Sequence, residues 1–225
     1  MRALFVSPHL DDVAFSCGGT FAALARQGWQ CTLLTCFTAS VPDPRGFALA
    51  CQTDKGIPPG VDYMALRRGE DERAAARLGA AEVVHLPLPE APHRGYDSAP
   101  ALFGEVRDDV WRELAPLLPQ GHDLVFLPQG KGGHVDHLQV IRAADAAGLR
   151  GHHYADLPYD IDGTDGDAGP VEPDVGAKVD ACAAYASQLG FQFGGEARMR
   201  ERLRAARERF QFSAAIPSAI ENARS

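Results

Sequence analysis

The run Ala3-Leu4-Phe5-Val6-Ser7, followed at once by Pro8-His9-Leu10-Asp11-Asp12, decides how this chain is read. Apolar residues in unbroken succession, without polar alternation, are what a parallel strand covered on both faces requires. So short a run, with one Arg before it and carboxylates after it, reads as a strand and its turn and not as a secretory leader. Similar runs recur at residues 30–37, 82–88, 123–128 and 152–157. Stretches of helical character lie between them at residues 18–27, 63–78 (closed by Gly79), 100–118 and 135–148. Residues 38–61, 89–98 and 159–174 read as loops, and about 175–189 and 196–209 as two final helices. Strands alternating with helices imply right-handed βαβ units. The expectation is a single α/β domain over residues 1–225, a doubly wound, mostly parallel sheet with helices on both faces. Its strand order is about 3-2-1-4-5, and residues 190–225 form a helical C-terminal extension.

In that order strands one and four are neighbours, and the winding reverses between them. Ligands of open α/β sheets sit beyond the carboxyl ends of the strands at such a reversal. Strand one is followed by His9, Asp11 and Asp12. Strand four is followed by Gln129-Gly130-Lys131-Gly132-Gly133-His134-Val135-Asp136-His137. The topology thus gathers imidazoles and carboxylates at one sheet edge, a donor set suited to a borderline divalent ion such as Zn²⁺. Either segment alone fits a helix cap equally well; two converging on one crevice point to a site. His9 and Asp12, three apart, can turn toward a common point, and His134 and His137 share a face of a first helical turn. Spacing leaves open which of these two imidazoles is the ligand; the other becomes a proton donor. Asp11 is free to serve as general base, and Asp136 to accept the ring N–H of the non-ligand His. Metal, base and acid together suit hydrolysis of an amide.

Composition excludes several alternatives. The 225 residues are 45% hydrophobic and 23% charged, enough for a sizeable core and unlike a disordered chain. No apolar stretch approaches the length of a membrane span. A net charge of −8 argues against nucleic-acid or anionic-membrane partners, and the amide chemistry of the two turns sets a small-molecule N-acylated substrate as the expectation. Five cysteines with no C-x-x-C pair read as reduced thiols, which places the protein in the cytoplasm.

Ser7-Pro8-His9-Leu10-Asp11-Asp12, then Ser16-Cys17-Gly18-Gly19, and later Gly132-Gly133-His134-Val135-Asp136-His137 resemble the LmbE/PIG-L family of zinc-dependent N-deacetylases. Arg67-Arg68-Gly69-Glu70 through Leu78-Gly79, Tyr154 to Tyr159, and Lys178 to Gln188 extend the resemblance over roughly residues 3–190. It implies a Rossmann-like fold and removal of an acyl group, usually acetate, from an amino sugar or glycoconjugate. It implies His9, Asp12 and His137 as ligands of one Zn²⁺, with Fe²⁺ as the alternative ion. It further implies Asp11 as general base, His134 as acid and oxyanion-side stabiliser, and Asp136 as the partner orienting His134. Arg67 would face substrate, or pair with Glu70 or Asp71 on its own helix. The chain departs from the family at Leu10 and Val13, where Pro and Glu are commoner, and at Gly132, where some relatives carry Tyr. Tyr63, Tyr96 and Tyr159 are the candidates to replace that Tyr.

Weaker signals take plain readings. Residues 160–165 look superficially like a calcium loop, but the acidic spacing is off, and a solvated loop is expected. The arginines from Arg198 to Arg209 interleave with Glu196, Glu201 and Glu208, as on an exposed, salt-bridge-laced helix compatible with a homo-oligomer contact. His85, His93, His122, His152 and His153 form no spaced set. Two other functions compete: an amidase acting on a non-sugar amide such as a thiol conjugate or peptide-like natural product, and a non-catalytic nucleotide-binding module. The latter lacks G-x-G-x-x-G and leaves the His/Asp cluster without a purpose.

Overall fold

The computed structural model describes residues 1–213. Strand β1 (Arg2–Ser7) leads into helix α1 (Asp12–Arg26) and strand β2 (Gln30–Thr35). Helices α2 (Gly46–Thr53) and α3 (Tyr63–Leu78) precede β3 (Glu82–His85), and two single-turn helices, α4 (Ala99–Leu102) and α5 (Trp111–Leu114), precede β4 (Leu124–Pro128). Helix α6 (Val135–Ala146) and β5 (Gly151–Tyr154) follow, then α7 (Val175–Cys182), α8 (Ala186–Phe193), α9 (Glu196–Ala205) and β6 (Phe210–Ser213). The sheet order is β3-β2-β1-β4-β5-β6; the first five strands are parallel and β6 is antiparallel to β5. The expected order holds, with an added edge strand.

The unbroken apolar run of β1 divides between two cores, because successive side chains point to opposite faces. Ala3 and Phe5 join Phe15, Phe21 and Phe126 on one side; Leu4 and Val6 join Leu34, Leu127 and Val140 on the other. Phe5 stacks on Phe126 with ring centroids 4.2 Å apart. Each such fully buried side chain contributes roughly 1.5–3 kcal/mol, so β1 is fixed in register by both faces. Its carboxyl end, where Pro8 to Asp12 begin, is held correspondingly firmly.

Four expectations need correction. Helix α1 starts at Asp12 and not at residue 18. It runs through a kink at Cys17 (φ −138°, ψ 25°), and the Glu208 carboxylate accepts the Gly19 and Thr20 amides at 2.7 and 2.8 Å. Residues 38–61 contain α2, a short helix bracketed by prolines. Residues 100–118 break into α4 and α5, since Gly104 ends the first turn and the Asp108 carboxylate accepts the Val110 amide that opens the second. The C-terminal region is not wholly helical: α9 stops at Ala205, and Glu208 and Arg209 turn inward to buried positions ahead of β6. Residues 214–225 of the expected extension lie outside the described residues. The acidic loop at 160–165 is met by arginines: Asp160 by Arg209 at 3.0 Å and Asp162 by Arg202 at 2.9 Å. No described helix is long and apolar enough to cross a membrane.

Candidate active site at the sheet switch point

The β1–α1 turn and the β4–α6 turn meet at the carboxyl edge of the sheet, and the two motifs close on one point. Asp12, at the first turn of α1, accepts the His9 amide at 2.8 Å, which folds the turn back on itself. The same oxygen, Asp12 Oδ2, lies 3.2 Å from His9 Nδ1 and 3.3 Å from His137 Nε2. The outer nitrogen of each ring is bound to its own carboxylate: His9 Nε2 to Asp136 Oδ2 at 2.9 Å, His137 Nδ1 to Asp156 Oδ1 at 2.6 Å. An ionised carboxylate only accepts, so these outer nitrogens carry protons. In neutral rings, the lone pairs of His9 Nδ1 and His137 Nε2 therefore face Asp12.

Two lone pairs turned toward a carboxylate repel unless positive charge lies between them. His137 Nε2 is buried and has no hydrogen-bond partner; its approach to Asp12 is outside hydrogen-bond geometry. Burial disfavours charge on either ring, but nearby carboxylates outweigh it. Asp12, then Asp156, brings His137 up to about 9, and Asp12 and Asp136 hold His9 well above its ordinary value. A centre that draws protons onto two imidazoles is short of positive charge, which a divalent cation would supply. Metal–nitrogen and metal–oxygen bonds of about 2.0–2.1 Å at tetrahedral angles place neighbouring donors about 3.3 Å apart, close to the spacing found here. His9 Nδ1, Asp12 Oδ2 and His137 Nε2 thus fit a cation.

His134 joins the cluster differently. Nitrogens of His9, His134 and His137 all lie within 4.8 Å of one another. However, His134 Nδ1 accepts the Asp136 backbone amide at 3.2 Å as the cap of α6. The proton is left on Nε2, a donor and not a lone pair. Burial and the charge on His9 push its pKa down to about 3, so the ring stays neutral. The expected partner of His134 also changes. The Asp136 side chain does not accept from His134; it takes His9 Nε2, Arg94 Nη2 at 2.6 Å and the Ala91 amide at 3.0 Å. Asp136 orients His9 with its carboxylate and His134 with its backbone.

Asp11 faces the open side. Its Oδ2 accepts from Gln192 Nε2 at 3.0 Å and lies 3.8 Å from Arg67 Nη2. Burial raises its pKa to about 7, with Asp12 adding to the effect and Arg67 opposing it. Arg67 pairs with neither Glu70 nor Asp71. Its guanidinium holds Glu90 Oε1 at 2.5 Å, and the two neighbouring acids accept from Ser187 and from the buried Tyr185. A cleft of about 470 Å³ opens over this floor. His9, Asp11, Asp12, His134, Asp136 and Arg67 line it, whereas His137 lies behind the lining. All three stretches read as loops contribute to its lining: Phe47 and Lys55 from 38–61, Glu90 and Pro92 from 89–98, and Tyr159 from 159–174.

Of the candidate tyrosines, Tyr159 lies closest to the histidine cluster, its ring 5.6 Å from that of His137. Tyr63 lines the cleft with its hydroxyl taken by Gln188, and Tyr96 is fully buried, accepting the Arg107 amide. Sequence reasoning assigned no role to Asp156, Glu90, Arg94 or Gln192. For Asp156 a signal existed, since it follows β5, the neighbour of β4. Nothing in sequence spacing marks the others.

Fold and site define an α/β protein with a candidate divalent-cation centre at its switch point. Residues 4–148 match the PIG-L family, GlcNAc-PI de-N-acetylase, and the chain belongs to that family. A 2'-N-acetylparomamine deacetylase of Streptomyces fradiae is 41% identical over 169 residues, 70% of this chain and 57% of that protein. A 1D-myo-inositol 2-acetamido-2-deoxy-alpha-D-glucopyranoside deacetylase of Segniliparus rotundus is 29% identical over 185 residues, 71% of this chain and 55% of that protein. The matches thus span little more than half the length of these curated relatives. A teicoplanin deacetylase, solved in a zinc-inhibited form, shares the fold with a TM-score of 0.77 at 23% identity, covering 95% of this chain and 99% of that one.

Proposed function

We propose that the protein is a zinc-dependent hydrolase that removes an N-acyl group, acetate in the first instance, from an amino sugar or an amino-sugar-bearing metabolite. The observation that carries this reading is the convergence of His9 Nδ1 and His137 Nε2 on Asp12 Oδ2, each ring anchored by a separate carboxylate. His9, Asp12 and His137 would hold the ion, which when bound supplies Lewis acidity to the acyl carbonyl and to water.

The remaining steps belong to the chain itself. Asp11, raised by burial to about 7, accepts a proton from the attacking water and returns it to the departing nitrogen. His134, held neutral and so without the proton that the expected acid role needs, keeps the oxyanion-side role: it lines the cleft and donates its Nε2–H to the acyl oxygen as negative charge develops there. Arg67 and Glu90 form a charged floor for sugar hydroxyls. Phe103, Tyr159 and Phe191 are exposed aromatics at the cleft, suited to the faces of sugar rings. Deacetylases of amino-sugar compounds among the relatives support this substrate class.

The test is acetate release by the zinc-loaded protein from a panel of N-acetylated amino sugars and antibiotic precursors. Release that stops on chelation and returns with Zn²⁺ is expected. Full turnover in thoroughly chelated protein, or no acetate from any member, overturns the proposal.

A further inference from the structure

Helix α8 offers Gln188, Phe191 and Gln192 to the cleft, an i, i+3, i+4 face. Gln188 is committed: its Nε2 donates to Tyr63 Oη at 2.9 Å and to Ser187 Oγ at 2.7 Å. Gln192 is half committed. Its Nε2 donates to Asp11 Oδ2 at 3.0 Å, and its Oε1 is buried without a partner. The orientation of this amide follows from the role given to Asp11: the base works ionised, an ionised carboxylate cannot donate, and the NH₂ must face it. A buried carbonyl left unpaired is a costly state that a donor on a bound molecule would relieve. Gln192 also stands, with Pro158 and Tyr159, between the catalytic cleft and a second cleft of about 480 Å³.

We propose that Gln192 is a positioning residue acting at both ends of its amide. The N–H end holds Asp11 in place, and the carbonyl, shielded as it stands and brought into reach by a small rotation of the side chain, accepts a hydrogen bond from a hydroxyl flanking the acylamino group of the substrate. This rests on the reading of the protein as a hydrolase of acylamino sugars. The two ends share one carbon, so a donor taken by Oε1 is separated from the general base by one amide and a hydrogen bond at each end of it. In an amino sugar, the substituent so placed without being the scissile bond is the hydroxyl on the adjoining carbon. A neutral carbonyl suits a hydroxyl, whereas ammonium groups are better served by the carboxylates of Glu90 and Asp54, which also line the cleft. Binding the correct sugar and aligning the base then become one event.

Equilibrium binding and turnover of N-acetylglucosamine and its 3-deoxy analogue test this on the zinc-loaded protein. The wild type is expected to lose affinity for the deoxy analogue by about tenfold, the usual worth of one such hydrogen bond. Gln192→Leu should bind both sugars alike and lower kcat about tenfold or more. Gln192→Glu keeps an acceptor at the Oε1 position but turns a second acceptor toward Asp11, so it should keep the discrimination while kcat falls. A wild type indifferent to the hydroxyl, a Gln192→Leu variant that still discriminates, or one with wild-type kcat overturns the proposal. Should Gln192→Leu fail to fold, Gln192→Glu and the wild-type binding comparison decide. The binding arm needs no turnover, so absent acetate counts against the hydrolase reading and equal affinities against the role of Gln192.

Discussion

Tyr159 packs across Gly132: a Cβ at residue 132 would lie 2.9 Å from Tyr159 Cβ and 3.0 Å from its Cγ, on a backbone with φ of +82°. The missing side chain at 132 and the ring beside the His cluster are therefore one arrangement, in which Tyr159 takes the room a residue there would need. Gly132→Ala should destabilise the protein by about 1–2 kcal/mol from the left-handed backbone alone. It should also raise KM, because Tyr159 must move. Urea unfolding and steady-state kinetics check the two effects; an unchanged midpoint with unchanged KM would show that neither contact matters.

Asp156 fixes the proton of His137 on Nδ1 and also accepts the Lys131 amide at 2.8 Å, tying β5 to the β4–α6 turn. Asp156→Asn keeps the shape and removes the charge. Zinc affinity should fall about 10–100-fold, the usual effect of losing a carboxylate behind a ligating imidazole. Competition with a chelating dye measures this directly, and an unaltered affinity would contradict the proposed role of His137.

Asp11→Asn should retain zinc while turnover falls by about 10²–10⁴-fold, and His137→Ala should lose zinc and turnover together. Metal content by elemental analysis, paired with acetate release, separates base from ligand. Loss of zinc in the Asn variant would move Asp11 into the ligand set.

The pH dependence has a defined sign. Asp11 works deprotonated, so kcat/KM should rise with pH through an acid limb set by its pKa. Burial lifts that pKa above the carboxylate range and Arg67 draws it down, so Arg67→Gln should move the limb to higher pH. A bound divalent cation shifts the limb the other way, toward lower pH, in wild type and variant alike. A limb that stays in place in Arg67→Gln would exclude Asp11 as the titrating base.

What the sequence disclosed and what it hid have physical reasons. The β1 run and the two His/Asp turns were legible because short-range pattern and parallel-sheet topology suffice to juxtapose them. The carboxylate of Asp136 was misplaced because spacing shows that two groups are neighbours but not which ring each one reaches. Glu90, Arg94 and Gln192 come from loops or a late helix whose approach to the cleft depends on packing far along the chain. The Gly18-Gly19 pair read as the start of a helix, yet α1 passes through it. The partner that accepts the freed amides is Glu208, nearly two hundred positions away, in a stretch whose alternating charges looked exposed.

That contact carries the last prediction. Glu208 accepts Gly19 N, Thr20 N and Thr20 Oγ1, and Lys178 Nζ lies 3.0 Å from its Oε1, with both side chains almost wholly buried. Removing one member of such a pair strands the other charge, so Glu208→Ala should cost about 3–5 kcal/mol in urea unfolding. Lys178→Met with Glu208→Gln removes both charges while an amide oxygen can still accept the α1 amides, and should recover most of that loss. The two results separate causes. If the double variant is as unstable as Glu208→Ala, the carboxylate matters as the cap of the kinked helix, because an amide cannot replace its two oxygens. If it recovers, the stranded ammonium dominates. A single variant as stable as wild type would mean that the segment ahead of β6 does not hold α1 at its kink, and the β1–α1 turn would owe its geometry to the sheet alone.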